Sequence, residues 1–358
     1  MSRKARAVIN LEAIRDNYRL ARSLAPENRA VAIVKADAYG HGAVRVAEYL
    51  EPEVDAFGVA CIEEAIILRD GGIQKPVLLL EGFFDPSELP QLVEQNFWTA
   101  IHSEFQIDQL AQLPDDSELT VWLKMDSGMH RLGVLPENYA AAYQRLQALP
   151  QVKEVVMMSH FSSADDLSDQ TTLRQVEVFA RATEGLDGEV SIANSPATLG
   201  WPQARGNILR PGLMMYGASP FTESQENAAR LKPAMSLLSE VIAVREIEAG
   251  ESVGYSATWT AEKTSRIGTV AMGYGDGYPR HAKNGTPVLV NGVRTSIIGR
   301  VSMDMITVDL TDVPNAEVGA EVEFFGDNLS INEVAGWCDT IPYTMMTCLT
   351  PRILRVYG

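Results

Sequence analysis

From residue 29 to about 215, short apolar runs rich in β-branched residues alternate with stretches of helical spacing. The runs are "AVAIVKA" (30–36), "DAFGVA" (55–60), "PVLLLEG" (76–82), "WTAIHS" (98–103), "LTVWLKMD" (119–126), "KEVVMMSH" (153–160), "EVSIAN" (189–194) and "NILR" (207–210). Continuous runs of this kind fit strands buried on both faces, as in parallel sheets. Between them, "AVRVAEYL", "IEEAIILRDGG", "PSELPQLVEQ" and "DQTTLRQVEVFARATEGL" carry helical patterns, the second closed by a glycine stop. Eight βα units predict an α/β fold of the (β/α)8 TIM type. A doubly wound open sheet is the alternative reading of the same alternation.

Beyond about residue 230 the pattern changes. "SLLSEVIAVREI", "SRIGTVAMGYGDGY", "PVLVNGVRTSIIGRVSMDMITVDL" and "AEVEFFG" follow one another without long helices, and "VNGV" is a hairpin signal. The expected organisation is a barrel over 1–230 and a mainly β C-terminal domain over 231–358. An opening strand over about 6–11, "RAVINL", could join the β domain.

Composition narrows the partners. Of 358 residues, 46% are hydrophobic and 22% charged, which is ordinary for a globular chain. The net charge of −17 lacks the basic footprint of a nucleic-acid binder. No stretch approaches the roughly 20 apolar residues of a membrane span, and "MSRKARAVINLEAIRDNY" lacks the apolar core of a signal peptide. Cys61, Cys338 and Cys348 are too few for a disulfide framework, and no two histidines have zinc-ligand spacing. The expectation is a reduced, cytoplasmic protein with no structural metal, no nucleic acid and no membrane.

In a (β/α)8 barrel, chemistry sits at the C-terminal ends of the strands. Lys35 ends the first apolar run. Lys124 and Asp126 end the fifth, followed by Arg131. His160 ends the sixth, Asn194 and Ser195 follow the seventh, and Arg210 ends the eighth. A lone strand-end lysine reads as a snorkelling residue; several polar groups converging on one rim read as a site. "NSPAT" and "RPGLMMYG" follow the last two strands, where barrels commonly bind phosphate. There Ser195 could donate its hydroxyl, and the amides of Gly212 and Leu213 could hold an anion. The plain alternative is a helix cap at Ser195 and a tight turn at Gly212. Asp37 reads as a cap for the helix near Gly42 or as a loop brace. A strand-end lysine facing a phosphate site suggests a Schiff base with pyridoxal phosphate, although barrel aldolases share that logic.

"VKADAYGHG" resembles the cofactor-lysine motif of the alanine racemases. "LKMDSGMHRLG", "MSHFSSADD", "ANSPAT", "RPGLMMYG", "VGYSATW", "AMGYGDGYPR" and "GRVSMDMITVDL" resemble further blocks of that family, in the family's order and across essentially the whole chain. The resemblance implies a barrel plus β domain, pyridoxal 5'-phosphate as cofactor and alanine as substrate. It also implies a homodimer with shared active sites. The implied reaction interconverts L- and D-alanine by two bases, supplying peptidoglycan or serving catabolism.

It also implies roles. Lys35 is the cofactor lysine and one catalytic base; Tyr255 is the other. Tyr39, Ser195, Gly212, Leu213 and Tyr343 match phosphate contacts. Arg210 matches the arginine beside the pyridine nitrogen, and His160 the histidine that holds it. Arg131, Met303 and Asp304 match residues near the substrate carboxylate, and Tyr274 one lining the entrance. Tyr255, Tyr274, Met303 and Asp304 come from the partner's β domain. A phenol titrates near 10, so a tyrosine base needs positive charge or hydrogen bonds about it. Lys124 matches a lysine that many members carry as a carbamate beside the arginine of "HRLG"; the alternative is an ordinary amine paired with Asp126. Serine stands at Ser302 where some members have cysteine, and at Ser256 where others have glycine. Broader-specificity racemases and non-catalytic pyridoxal-phosphate proteins are the alternatives. The first typically act outside the cytoplasm, and the second lack the β domain.

Overall fold

The structure is a computed structural model and describes residues 3–358. The first strand, β1 (Arg6–Ile9), stands outside the barrel, antiparallel to Met235–Ile247 and parallel to Leu354–Tyr357. A helix follows at Leu11–Leu24, opened by Asn10, whose side chain accepts from the Ala13 amide at 2.9 Å. It turns Leu11, Ile14 and Tyr18 into the core.

Eight parallel strands come next: β2 (Arg29–Ile33), β3 (Ala56–Val59), β4 (Val77–Leu79), β5 (Phe97–Ile101), β6 (Leu119–Lys124), β7 (Val152–Met158), β8 (Val190–Ser191) and β9 (Ile208–Leu209). Their order, β8-β7-β6-β5-β4-β3-β2-β9, places each beside its sequence neighbour and brings β9 against β2. Two backbone bonds, Asn207 N–H to Val190 O (2.7 Å) and Arg210 N–H to Ala193 O (3.0 Å), join β9 to the β8 segment. An open sheet would leave these edges apart, so the barrel reading stands. Each strand falls on its expected apolar run. The clearest difference is β2, which stops at Ile33 although the run extends to Ala36.

The C-terminal part is mainly β. Its longest strand, β10 (Met235–Ile247), pairs antiparallel with β1, Ser265–Val270 and Glu321–Phe325. Pro287–Val290 and Val293–Ser296 form the hairpin signalled by "VNGV". Asn291 and Gly292 both have positive φ (48° and 77°), as a two-residue turn matched to strand twist requires. A short helix, Pro342–Thr347, leans back onto the barrel, where its Met346 carbonyl lies against Gly40. Among the described residues no helix is long and apolar enough to cross a membrane.

Candidate active site

The chain does not continue β2 because it winds left-handed after Lys35. Ala36, Asp37, Ala38 and Tyr39 all have φ between 52° and 54°, and Gly40 has φ 80°. Left-handed turns cost L-residues roughly 1–2 kcal/mol each, so neighbours must hold this one. Glu64 accepts from the Ala36 amide at 2.6 Å, and Asp37 accepts from the Ala43 amide at 2.7 Å. Asp37 is thus the brace and cap that the sequence suggested. Arg355 donates from Nε to the Gly40 carbonyl at 3.1 Å and from its other nitrogens to the carbonyls of Leu349, Thr350 and Ile353. One guanidinium therefore ties the turn to the C-terminal segment.

The turn delivers Lys35 and Tyr39 to a cavity of about 470 Å³ at the strand ends. Lys124, Arg131, His160, Ser195, Arg210, Gly212, Leu213 and Tyr343 also line it. Four cationic side chains thus face one space. Burial holds the Lys35 amine below its usual value; Glu81 opposes this and Arg131 adds to it. Lys124, only 6% exposed, is pulled down to about 8 by burial and then by Arg210 and Arg131. Burial, Arg210 and Lys124 keep the His160 imidazole well below its usual value, so it is neutral.

Arg210 is 3% exposed and donates to the Ser191 carbonyl (2.6 Å), the Ser191 hydroxyl (2.7 Å) and the Ser159 carbonyl (2.6 Å). Burial lowers it to about 9, which leaves it a cation at neutral pH. His160 borders this cation but makes no hydrogen bond to it in this structure. Asp126 does not pair with Lys124; it accepts from the Gly128 and His130 amides and shapes the loop carrying Arg131.

Ser195 sits at the start of the helix Ser195–Gly200, but Asn194 caps that helix by accepting from Ala197 N–H. The Ser195 hydroxyl instead accepts from the amides of Gly212 (2.9 Å) and Met214 (3.2 Å), leaving its proton to donate. Of the two amides expected to face an anion, Gly212's is therefore engaged; Leu213's makes no bond to another described residue. Gly212 is needed for space, because a Cβ there would lie 2.7 Å from the Tyr39 hydroxyl oxygen. Behind this cradle Tyr39 stacks on Tyr216 with centroids 4.6 Å apart and tilts against Tyr343 at 5.7 Å.

Tyr255, Tyr274, Met303 and Asp304 do not line this cavity. They lie together on the β domain. The Tyr274 amide donates to the Ser302 carbonyl (3.0 Å) and the Gly275 amide to that of Met303 (2.8 Å). Gly254, next to Tyr255, lies against the Arg300 amide. Buried Asp276 pins this surface: both its oxygens accept from Arg3 at 2.6 Å, and Arg352 bridges it to Asp304. Tyr255 is 67% exposed and Met303 53%.

The chain matches the family models "Alanine racemase, N-terminal domain" over residues 9–220 and "Alanine racemase, C-terminal domain" over 234–357. The chain belongs to the alanine racemase family. The catabolic alanine racemase of Pseudomonas putida is 55% identical over 355 residues, covering 99% of both chains. The crystal structure of a biosynthetic alanine racemase from Pseudomonas aeruginosa superposes with a TM-score of 0.96 at 46% identity, covering 99% of each chain. That of the Bartonella henselae alanine racemase with covalently bound pyridoxal phosphate superposes at 0.90 and 28% identity, again over 99% of each. The activity is that of the family, interconversion of the alanine enantiomers. Relatives of both metabolic roles lie close.

Sequence reasoning missed Glu81, the one carboxylate among the described residues that line the cavity. It ends "PVLLLEG" as Lys35 ends its own run, so the strand-end rule could have found it.

Proposed function

We propose that the chain is a pyridoxal-phosphate-dependent alanine racemase that works with two bases, Lys35 from its own barrel and Tyr255 from a second copy. The observation that carries the reading is that Lys35 lies inside the cationic cavity while Tyr255 stands exposed outside it. Two bases on opposite faces of one α-carbon must then meet across a subunit boundary. Exposed Met303, Met305 and Ile341 give the β domain apolar surface for a partner to cover.

The cavity suits the cofactor. Its two arginines, Arg131 and Arg210, suit an anionic ligand, and the Gly212 cradle gives backbone room that a side chain would fill. Tyr39, Ser195, Leu213 and Tyr343 would hold the phosphate, with Gly212 leaving room for it. Arg210 and His160 would meet the ring side, and Lys35 would hold the group covalently. When bound, the cofactor supplies an electron sink for the pair left at the α-carbon.

The residues do the rest. Burial favours a neutral Lys35 amine, able to take the α-proton of D-alanine at Nζ. The partner's Tyr255 returns a proton from its hydroxyl to the other face; from L-alanine the two exchange roles. Arg131, with the partner's Met303 and Asp304, would orient the carboxylate, and the partner's Tyr274 would narrow the entrance. Lys124 has the lowered pKa that carbamylation needs, and a carbamate would turn a cation beside Arg131 into its counter-ion.

Mixing inactive Lys35→Ala and Tyr255→Phe chains tests the shared site. Each mixed dimer holds one site with both native bases, so racemase activity should return. Verified heterodimers without rescue would overturn the assignment.

A further inference from the structure

The left-handed turn needs its carbonyls satisfied, because a strained segment with unpaired carbonyls would relax. The main chain supplies part of this: the amide of His41 donates to Ala38 O at 3.1 Å and that of Gly42 to Asp37 O at 2.9 Å. The Tyr39 carbonyl is met by a side chain. His41 is fully buried, and its Nδ1 lies 3.0 Å from both Ala38 O and Tyr39 O. Carbonyl oxygens only accept, so Nδ1 carries the proton. Nε2 is buried without a partner, so the ring is neutral. The ring also packs on Tyr216, centroids 4.6 Å apart, and Tyr216 in turn backs Tyr39. His41 thus touches the turn twice, once through its carbonyls and once through the aromatic row behind it.

We propose that His41 is a positioning residue whose Nδ1–H locks the left-handed turn, so that Lys35 and Tyr39 stay on the cavity. It reaches neither substrate nor cofactor; it acts through the backbone of Tyr39. The functional part of the proposal rests on the cavity's being the pyridoxal-phosphate site.

Three substitutions separate the donor from the ring. His41→Asn places an amide nitrogen where Nδ1 sits but removes the ring. His41→Leu matches the asparagine in size without a donor. His41→Phe keeps a ring without a donor. Two readouts are taken on each full-length protein: titration of the cofactor-free form with pyridoxal phosphate, and hydrogen exchange of the amides at 36–43. His41→Leu and His41→Phe should weaken cofactor binding about tenfold, the weight of one hydrogen bond, and speed exchange in the turn. His41→Asn should stay within about threefold of the native protein in both. Native-like binding and exchange in His41→Leu would overturn the proposal, as would an asparagine variant no better than the leucine one. If the native protein fails to bind pyridoxal phosphate, the cavity reading falls, and exchange in the turn still decides whether His41 locks it.

Discussion

The guanidinium of Arg210 donates to the main-chain carbonyl of Ser159 at 2.6 Å, so a cation at the end of β9 is fixed by the end of β7, two strands along the rim and past β8. With the Ser191 carbonyl and hydroxyl, this spends the arginine's planar fork on three fixed acceptors. A lysine cannot span them. Arg210→Lys should destabilise the fold by about 2–3 kcal/mol and lower racemase turnover at least tenfold. Thermal melts and a coupled alanine assay measure both; a near-native melt with near-native turnover would refute this role.

The two-base assignment predicts an asymmetry at the chemical step. Tyr255→Phe should keep Lys35-driven exchange of the D-alanine α-proton with heavy water while racemisation falls by about 100-fold, within the usual range for losing a general base. Mass spectrometry of recovered alanine reads the exchange. Equal loss of exchange from both enantiomers would sink the assignment.

Gly212 is predicted to be intolerant of even one methyl group. Its Cβ would press on the Tyr39 hydroxyl at 2.7 Å, and that ring is boxed by Tyr216 and Tyr343. Gly212→Ala should cost about 1–3 kcal/mol by overpacking and weaken pyridoxal-phosphate binding more than tenfold. Unchanged affinity would show that the cradle does not face the phosphate.

Lys124 gives a pH dependence of its own. Its amine, pulled to about 8, becomes neutral as pH rises through that value, and only the neutral amine takes up carbon dioxide. Intact-protein mass in bicarbonate should therefore show one added carbon dioxide at pH 9, lost on acidification and absent in Lys124→Ala. A mass that never changes would leave Lys124 an ordinary amine.

His41 makes stability fall in acid. Burial, offset only partly by its two carbonyl acceptors, lowers it to about 4, against an ordinary 6.5. The unfolded chain therefore binds the extra proton first, so this contribution is whole above pH 6.5 and lost as pH drops toward 4. Its neighbours Arg355 and Tyr216 offer no negative charge at these pH values to hold an imidazolium. The full difference is about 3 kcal/mol. In denaturant melts from pH 7 to 4.5, the native protein should lose stability relative to His41→Asn as pH falls. Parallel curves would contradict the shift.

The barrel was legible in the sequence because buried parallel strands write themselves as apolar runs, most of them ending in a polar residue at the rim. Lys35, Lys124, His160 and Arg210 stood out for that reason. The winding after Lys35 did not. Ala36 to Tyr39 contains no glycine, and alanines favour a right-handed helix. Its hand is held by Glu64, His41 and Arg355, the last 315 residues from Gly40, and no local pattern carries such contacts. Tyr255 was legible only through its family block, since an exposed tyrosine in a short β-domain turn has no signature of its own.

The bond from Arg355 to Gly40 has a bearing on how the protein is made. A ribosome releases the whole barrel well before it reaches Arg355. Until then the left-handed turn after Lys35 lacks the donor for its Gly40 carbonyl, and Met346 and Tyr357 have not closed over its glycines. A chain broken off before Met346 would leave the turn after Lys35 without these contacts. Competence therefore waits for the segment that carries Met346, Arg355 and Tyr357, so activity itself reports that this segment has been made and has folded back onto the barrel.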